Sequence, residues 1–281
     1  MRLRFSKMHG AGNDFVIVDC RAAPFALDAA AIRRLGNRHF GVGFDQLLTI
    51  EPARDASCTF AYRIWNADGS ASDQCGNGLR CVARWLERAG VLGAGVTRLE
   101  SPSGPVAVEL LGDGDVRADM GEPIFAPARI PLRADEESDH YTIDVAGRDV
   151  EVGAVSMGNP HALVEVDDIA NAAVAVLGPQ IEHAAAFPHG CNVGFAQVLS
   201  RTAIALRVWE RGVGETLACG SGACAAVAVL RRRAKLDAEV TVALPGGELG
   251  IGWQGSSHPL WMSGPAAFVF EGEWSKPPSG G

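Results

Sequence analysis

Short stretches of the first half of the chain return, in the same order, in the second half. Arg63-Ile64-Trp65-Asn66 lines up with Arg207-Val208-Trp209-Glu210 at an offset of 144 residues, and Cys75-Gly76-Asn77-Gly78 falls on Cys219-Gly220-Ser221-Gly222 at the same 144. Gly12-Asn13 matches Gly158-Asn159 at 146, Gly43-Phe44-Asp45-Gln46 matches Gly194-Phe195-Ala196-Gln197 at 151, and Met120-Gly121 resembles Met262-Ser263-Gly264 at 142. Chance produces any one such pair, but five in one order imply two duplicated halves of about 140 residues, with small insertions explaining the drift. Two copies are too few for a solenoid, so the expected place for a single ligand is the cleft where equivalent faces of the halves meet.

The 281 residues fit that division, since domains cluster at roughly 100–150 residues. Hydrophobic residues at 47% and charged residues at 21% describe an ordinary globular chain, neither disordered nor fibrous. Tracts rich in β-branched and aromatic residues at 3–8, 15–19, 46–50, 58–65, 106–111, 141–145, 150–155, 203–209, 240–243 and 266–270 read as strands. Helical spacing appears at 28–38, 76–89, 178–186 and 220–235. Few helices among many strands predict an α+β fold of two pseudo-symmetric lobes. Pro123, Pro127 and Pro131, followed by the acidic stretch 135–139, read as a solvated connection, which divides the chain into lobes at 1–122 and 123–265.

A formal charge of −8 argues against nucleic acid, whose phosphate backbone calls for basic surface. The apolar run 223–230 is far short of the roughly 18 residues a membrane span needs, and it ends in Arg231, Arg232 and Arg233. Residues 1–15 carry Arg2, Arg4, Lys7 and His9, which leaves no apolar signal-peptide core, so the expected location is the cytoplasm. The seven cysteines are odd in number, and neither Cys75/Cys81 nor Cys219/Cys224 has C-x-x-C spacing, so no metal site and no disulfide scaffold is expected.

Cys75 and Cys219 differ from the other thiols. Each opens a Cys-Gly-x-Gly loop just before a helical stretch, where unpaired backbone N–H groups and the helix dipole favour negative charge. Glycines let a ligand approach the backbone, and a thiol so placed can have its pKa drawn below its usual value, so both are expected to be partly thiolate. Cys20, Cys58, Cys81, Cys191 and Cys224 fit the commoner fate of free cysteine, a small buried hydrophobe.

Weaker motifs fall away. Residues 220–225 formally fit G-x-G-x-x-A, yet the twin around Gly76 ends in Cys81 and neither reads as part of a clear βαβ unit, so a dinucleotide site is rejected. Cys219 stands where the G-x-S-x-G elbow needs glycine. The only lysines, Lys7, Lys235 and Lys276, occupy a first strand, a basic helix end and a Pro-rich tail, which disfavours pyridoxal phosphate. Two matched thiols facing one cleft suit a reaction that needs equivalent groups on opposite faces of one carbon. Racemisation has that demand: one thiolate removes a proton, the other thiol delivers one to the opposite face, and no cofactor takes part. Disulfide redox chemistry is the rival, but thiols 144 residues apart suit it less well than C-x-x-C neighbours.

Asn66-Ala67-Asp68-Gly69-Ser70, then Cys75-Gly76-Asn77-Gly78-Leu79-Arg80, resembles the signature of the diaminopimelate epimerase family. Further blocks resemble that family in order: Met8-His9-Gly10-Ala11-Gly12-Asn13-Asp14-Phe15, Gly158-Asn159-Pro160-His161-Ala162, Asn192-Val193-Gly194-Phe195, and Glu210-Arg211-Gly212-Val213-Gly214-Glu215-Thr216 through Cys219. The resemblance runs from about Leu3 to Trp274. It implies a cofactor-free enzyme that converts LL-2,6-diaminopimelate to the meso isomer on the route to lysine and peptidoglycan. Each lobe would be a mixed or antiparallel sheet curled round a central helix, with a strand at about 266–274 returning to the first lobe.

By the same resemblance Cys75 and Cys219 would be the acid/base pair, with His161 and Glu210 beside them aiding proton movement. The amides of Gly76-Asn77 and Gly220-Ser221 would hold the carboxylate at the reacting carbon, and Asn13 and Gln46 would help place that end. Asn66, Asn159, Asn192 and Arg211 would hold the distal amino-acid end, with Glu210 near the ammonium groups. Without the resemblance, Asn13, Asn159 and Asn192 read equally well as turn caps and His161 as a packing residue. Arg211 is the most readily explained, since a guanidinium takes a carboxylate bidentately. The partner is a small molecule, and a homodimer is the assembly the resemblance allows. A proline racemase is the nearest alternative, and it would not need the distal Asn/Arg set; an amino-acid-binding module would have no use for paired thiols.

Overall fold

A computed structural model describes residues 2–72, 75–112 and 114–275. Lys276 and the Pro/Gly tail after Ser275 lie outside the described residues. In chain order the elements are β1 (Arg2–Gly10), β2 (Asn13–Asp19), α1 (Ala29–Gly36), β3 (Gln46–Pro52), β4 (Phe60–Asn66), β5 (Ala71–Ser72), α2 (Gly76–Arg88), β6 (Gly95–Ser101), β7 (Gly104–Leu110) and β8 (Val116–Asp119). They continue as β9 (Tyr141–Val145), β10 (Arg148–Ser156), β11 (Pro160–Glu165), α3 (Val174–Glu182), β12 (Asn192–Ser200), β13 (Ala203–Glu210), β14 (Gly214–Thr216), α4 (Gly220–Arg232), β15 (Glu239–Leu244), β16 (Gly247–Gly252), β17 (Trp261–Gly264) and β18 (Ala267–Ser275). The fold divides into two compact units, Met1–Ala118 with Gly264–Gly281, and Asp119–Ser263.

The two units repeat one topology. In the first, β2 lies parallel to β3, β3 antiparallel to β4, and β4 antiparallel to β5; α2 then crosses to β6, which returns parallel to β4 and continues as an antiparallel run into β7 and β8. In the second, β11 lies parallel to β12, β12 antiparallel to β13, and β13 antiparallel to β14; α4 crosses to β15, parallel to β13, and β16 and β17 follow. Each helix is therefore a crossover between parallel strands, contrary to the expectation of no βαβ unit. A short hairpin strand, β5 or β14, separates the first parallel strand from the helix, so the glycine loop does not follow that strand directly as a dinucleotide fingerprint requires.

Ladder register corrects one of the sequence matches. Phe15 pairs with Gln46 across β2 and β3, and His161 pairs with Asn192 across β11 and β12, so Gln46 corresponds to Asn192 at an offset of 146, not to Gln197 at 151. Asn13 likewise precedes Phe15 by two residues, as Asn159 precedes His161. One strand is supplied differently in each unit. β9 pairs with β10 in a hairpin, whereas the corresponding partner of β1 is β18, from the end of the chain.

Composition explains how the helices seat. α4 is rich in Gly, Ala and Val, and every residue from Gly222 to Leu230 is buried, as a helix apolar all round must be. α2 buries Leu79, Cys81, Val82, Ala83 and Leu86 and turns Arg84 and Arg88 outward. Gly153 on β10 lets α4 approach, since a Cβ there would stand 2.3 Å from Val229 Cγ1. The proline-rich stretch is only partly solvated: Ile130 and Leu132 are buried in the second unit's core, because burying two large aliphatics outweighs the irregular backbone around them.

Candidate active site

Cys75 is the N-cap of α2, in extended conformation, and its sulfur accepts from the Gly78 amide at 3.4 Å. The amides of Gly76 and Asn77 lie in the first helical turn, whose N–H groups have no partner within the helix. Asn13, the first residue of β2, aims Oδ1 at Cys75 Sγ (3.7 Å) and accepts from Asn77 Nδ2 (3.3 Å). Gln46 and Asn66 face each other across β3 and β4 and are joined at 3.0 Å, with Asn66 Nδ2 donating to Ser70 Oγ. The register that makes Gln46 begin β3 and Asn66 end β4 leaves Gln46 Oε1 buried without a hydrogen-bond partner. Such an orphan acceptor suits a ligand donor.

Cys219 caps α4 at the corresponding place, but its surroundings differ. Its thiol donates to Glu210 Oε2 at 3.2 Å and lies 3.6 Å from Ser221 Oγ; Thr216 Oγ1 donates to Glu210 Oε1 at 2.6 Å. Complete burial and the adjacent Glu210 carboxylate raise its pKa well above the ordinary thiol value, against the opposing pull of the Ser221 hydroxyl and the Gly222 amide. The expectation of a partly ionised thiol is thus overturned at Cys219, where desolvation outweighs the helix start.

Asn159 donates from Nδ2 to Ser221 Oγ at 3.4 Å, and its Oδ1 meets His161 Nε2 at 2.9 Å. Burial, with the Arg211 charge nearby, pushes the His161 pKa down to about 3, so the ring is neutral. It must carry its proton on Nε2, because the amide oxygen it faces only accepts. Its bond thus runs to Asn159. Asn192 bridges two strands, donating to the Pro160 carbonyl at 3.1 Å and accepting from the Arg211 amide at 3.0 Å. Arg211 is exposed, with Nη1 on the His189 carbonyl at 3.1 Å. Gly220 and Ser221 occupy the first turn of α4.

The diaminopimelate epimerase family model matches residues 5–126 and 153–269. The chain belongs to that family. A diaminopimelate epimerase of Xanthomonas campestris pv. campestris is 54% identical over 98% of this chain and 97% of its own length. One of Chromobacterium violaceum is 50% identical over 97% of this chain and 99% of its own length. Solved structures of lower identity share the epimerase fold. A hydroxyproline epimerase from Agrobacterium vitis superposes with a TM-score of 0.69 at 16% identity, over 97% of this chain and 92% of that one, and a Bacillus anthracis phenazine biosynthesis protein of the PhzF family with 0.70 at 16%, over 98% and 100%.

Several residues around the epimerase signature were not singled out by sequence reasoning. Glu182, buried at the end of α3, accepts from Trp209 Nε1 at 2.7 Å and from the Gly212 amide at 2.8 Å, and so pins the loop that carries Arg211. Arg80, fully buried on α2, donates to Asn77 Oδ1 at 2.9 Å. Asp45 accepts from Asn13 Nδ2 and is itself held by Arg38. The signal available at Arg80 was a charged residue set between Leu79 and Cys81 on the buried face of α2. Among the remaining thiols, Cys20, Cys81, Cys191 and Cys224 are buried as expected, but Cys58 is partly exposed, because it stands in the turn before β4. None of the seven cysteines is in a disulfide. Lys7 and Lys235 are both in ion pairs, with Asp14 and Glu165. No helix among the described residues is long and apolar enough to cross a membrane, and no group of three His, Cys, Asp or Glu is gathered to hold a metal.

Proposed function

We propose that the chain interconverts LL- and meso-2,6-diaminopimelate, with Cys75 and Cys219 as the two proton carriers at one α-carbon. The observation that carries this reading is the repetition of a cysteine N-cap on a 13-residue helix at the same place in two copies of one fold. One thiolate takes the α-proton: the C–H bond breaks, an S–H bond forms, and the electron pair passes into the carboxylate. Helix-start amides steady that negative charge. The other thiol then gives its proton to the opposite face, and its sulfur is left as thiolate. Cys219, held protonated by burial and Glu210, is the donor at rest, which leaves Cys75 as the acceptor.

Asn13, Gln46, Gly76, Asn77, Gly220 and Ser221 hold the reacting end in this reading, while Asn66, Asn159, Asn192, Glu210 and Arg211 hold the distal end. His161 orients Asn159. The protein acts in the cytoplasm, where reducing conditions suit free catalytic thiols, and as a homodimer. Incubation with LL-diaminopimelate in deuterated water, without added cofactor, tests the reading. It predicts the meso isomer with deuterium at the inverted carbon and no reaction of L-proline. Cys75→Ala and Cys219→Ala should each lower the rate by ~10²–10⁴, the usual worth of a general acid/base group. No meso isomer from the folded wild-type protein would reject it.

A further inference from the structure

We propose that Asp45 is a positioning residue that decides which end of the Asn13 carboxamide faces Cys75. Asn13 Nδ2 donates to Asp45 Oδ2 at 2.7 Å. A carboxylate only accepts, so the amide must turn its NH₂ toward Asp45 and its carbonyl the other way, toward Cys75 Sγ and Asn77 Nδ2. The far end of the chain of amides is fixed by the opposite logic. Arg80 only donates, so Asn77 must turn its Oδ1 toward the guanidinium and its Nδ2 toward Asn13. Two groups of opposite charge thus impose one direction on both amides.

Asp45 is itself held in place. Arg38 Nη2 donates to its Oδ1 at 2.7 Å and the Asp14 amide to its Oδ2 at 3.1 Å, while its own amide donates to Asp14 Oδ1 at 3.0 Å. Arg38 also grips the Asp14 carboxylate with both terminal nitrogens, and Lys7 reaches it from β1. These cations hold the Asp14 carboxyl well below the usual carboxylate range despite its partial burial.

The second unit supplies the contrast. At the register of Asp45 it has Cys191, and there Asn159 is turned the other way: its Oδ1 is taken by His161 and its Nδ2 faces Ser221. The amide beside Cys75 is therefore an acceptor, and the amide beside the Cys219 loop is a donor. An acceptor at Cys75 receives the S–H bond once that sulfur has taken the α-proton, which favours the thiol formed in the step. Asp45 acts through Asn13, on whose Nδ2 its carboxylate is held.

This inference rests on the epimerase reading, and a double-mutant cycle separates the two. Epimerisation of LL-diaminopimelate is measured for wild type, Asp45→Ala, Asp45→Asn, Asn13→Ala and the Asp45/Asn13 doubles, with far-UV circular dichroism recorded for each. Asp45→Ala should lower kcat by ~10- to 100-fold with little change in KM, the scale of a small misplacement of a reacting partner. Asp45→Asn, which can offer either end of its own amide, should lower it by about 10-fold and decides the matter if the alanine variant does not fold. In the Asn13→Ala background neither change should lower kcat further. An undiminished kcat in folded Asp45→Asn, or an equal fall in both backgrounds, would overturn the proposal while leaving the epimerase reading intact. An inactive wild type would instead count against that reading.

Discussion

Cys219 and Glu210 form a thiol-to-carboxylate hydrogen bond of 3.2 Å, and the residue corresponding to Glu210 in the first unit is Asn66, an amide in place of a carboxylate. Duplication supplied the same backbone twice, and single substitutions then gave the two sulfurs unlike electrostatic surroundings. That asymmetry can be measured. Glu210→Gln removes the carboxylate charge but keeps the shape, so the Cys219 pKa should fall toward the ordinary thiol value. Peptide-resolved alkylation against pH reads this directly: the Cys219 midpoint should move to lower pH in the variant, and an unmoved midpoint would show that burial alone sets it.

His161 should make the protein acid-sensitive in a defined window. The unfolded chain protonates this imidazole below about pH 6.5, whereas the folded chain refuses the proton until about pH 3. Over that interval the unfolded state binds the extra proton, so the contribution is complete above pH 6.5 and is lost as pH falls, by up to ~1.4 kcal/mol per pH unit. His161→Phe, which installs the residue found at the corresponding Phe15, should flatten the slope of unfolding free energy between pH 6 and 5 by roughly that amount. Urea titrations at the two pH values check it, and equal slopes would contradict the assignment.

Gly153→Ala should destabilise the second unit. The added Cβ would stand 2.3 Å from Val229 Cγ1, a branched side chain within the buried stretch Gly222–Leu230 of α4 that has little room to move. Overpacking of this kind typically costs ~1–3 kcal/mol. Adding Val229→Ala should return part of the loss, and denaturant unfolding of the single and double variants would reveal the coupling.

Much of this arrangement was legible beforehand, and the exceptions have physical causes. The helices at Gly76 and Gly220 were visible because each follows a cysteine-glycine start and carries a long apolar face. The strand Tyr141–Val145 was visible from its β-branched and aromatic content, and the structure buries its residues at every second position. α3 was expected at 178–186 but spans Val174–Glu182. Gly178 and Pro179 look like a helix start, yet Pro179 lies inside the helix and Gly178 is there to admit Trp209, whose Cγ would stand 2.6 Å from a Cβ. β16 was missed because Gly247, Gly250 and Gly252 interrupt its short apolar pattern, and glycine inside a strand weakens the signal. In the site, the cysteines and asparagines were legible as residue types. The direction of each amide was not, because it depends on Asp45 and His161, which are not adjacent in sequence to the amides' other partners.

Arg211 should set specificity under the proposed function. Lysine lacks the distal carboxylate and would leave the guanidinium and nearby amides unmatched, a kind of mismatch that can discriminate by ~10⁴–10⁵. Arg211→Met should therefore cut activity on diaminopimelate and narrow its advantage over lysine, and Arg211→Lys should restore little, since an ammonium cannot form the paired bonds. Steady-state kinetics on both amino acids measures the ratio.

The central claim is that two thiols serve two faces of one carbon, and the early partition of deuterium tests it most directly. LL-diaminopimelate is incubated in deuterated water for well under one conversion of the pool, and residual substrate and meso product are analysed separately by mass spectrometry. With two carriers, the proton removed leaves on one sulfur and a deuteron arrives from the other. The account therefore predicts deuterium at the inverted carbon of the product and almost none in recovered substrate. Deuterium entering recovered substrate as fast as it enters product would mean that one group both removes and returns the proton, and would contradict it.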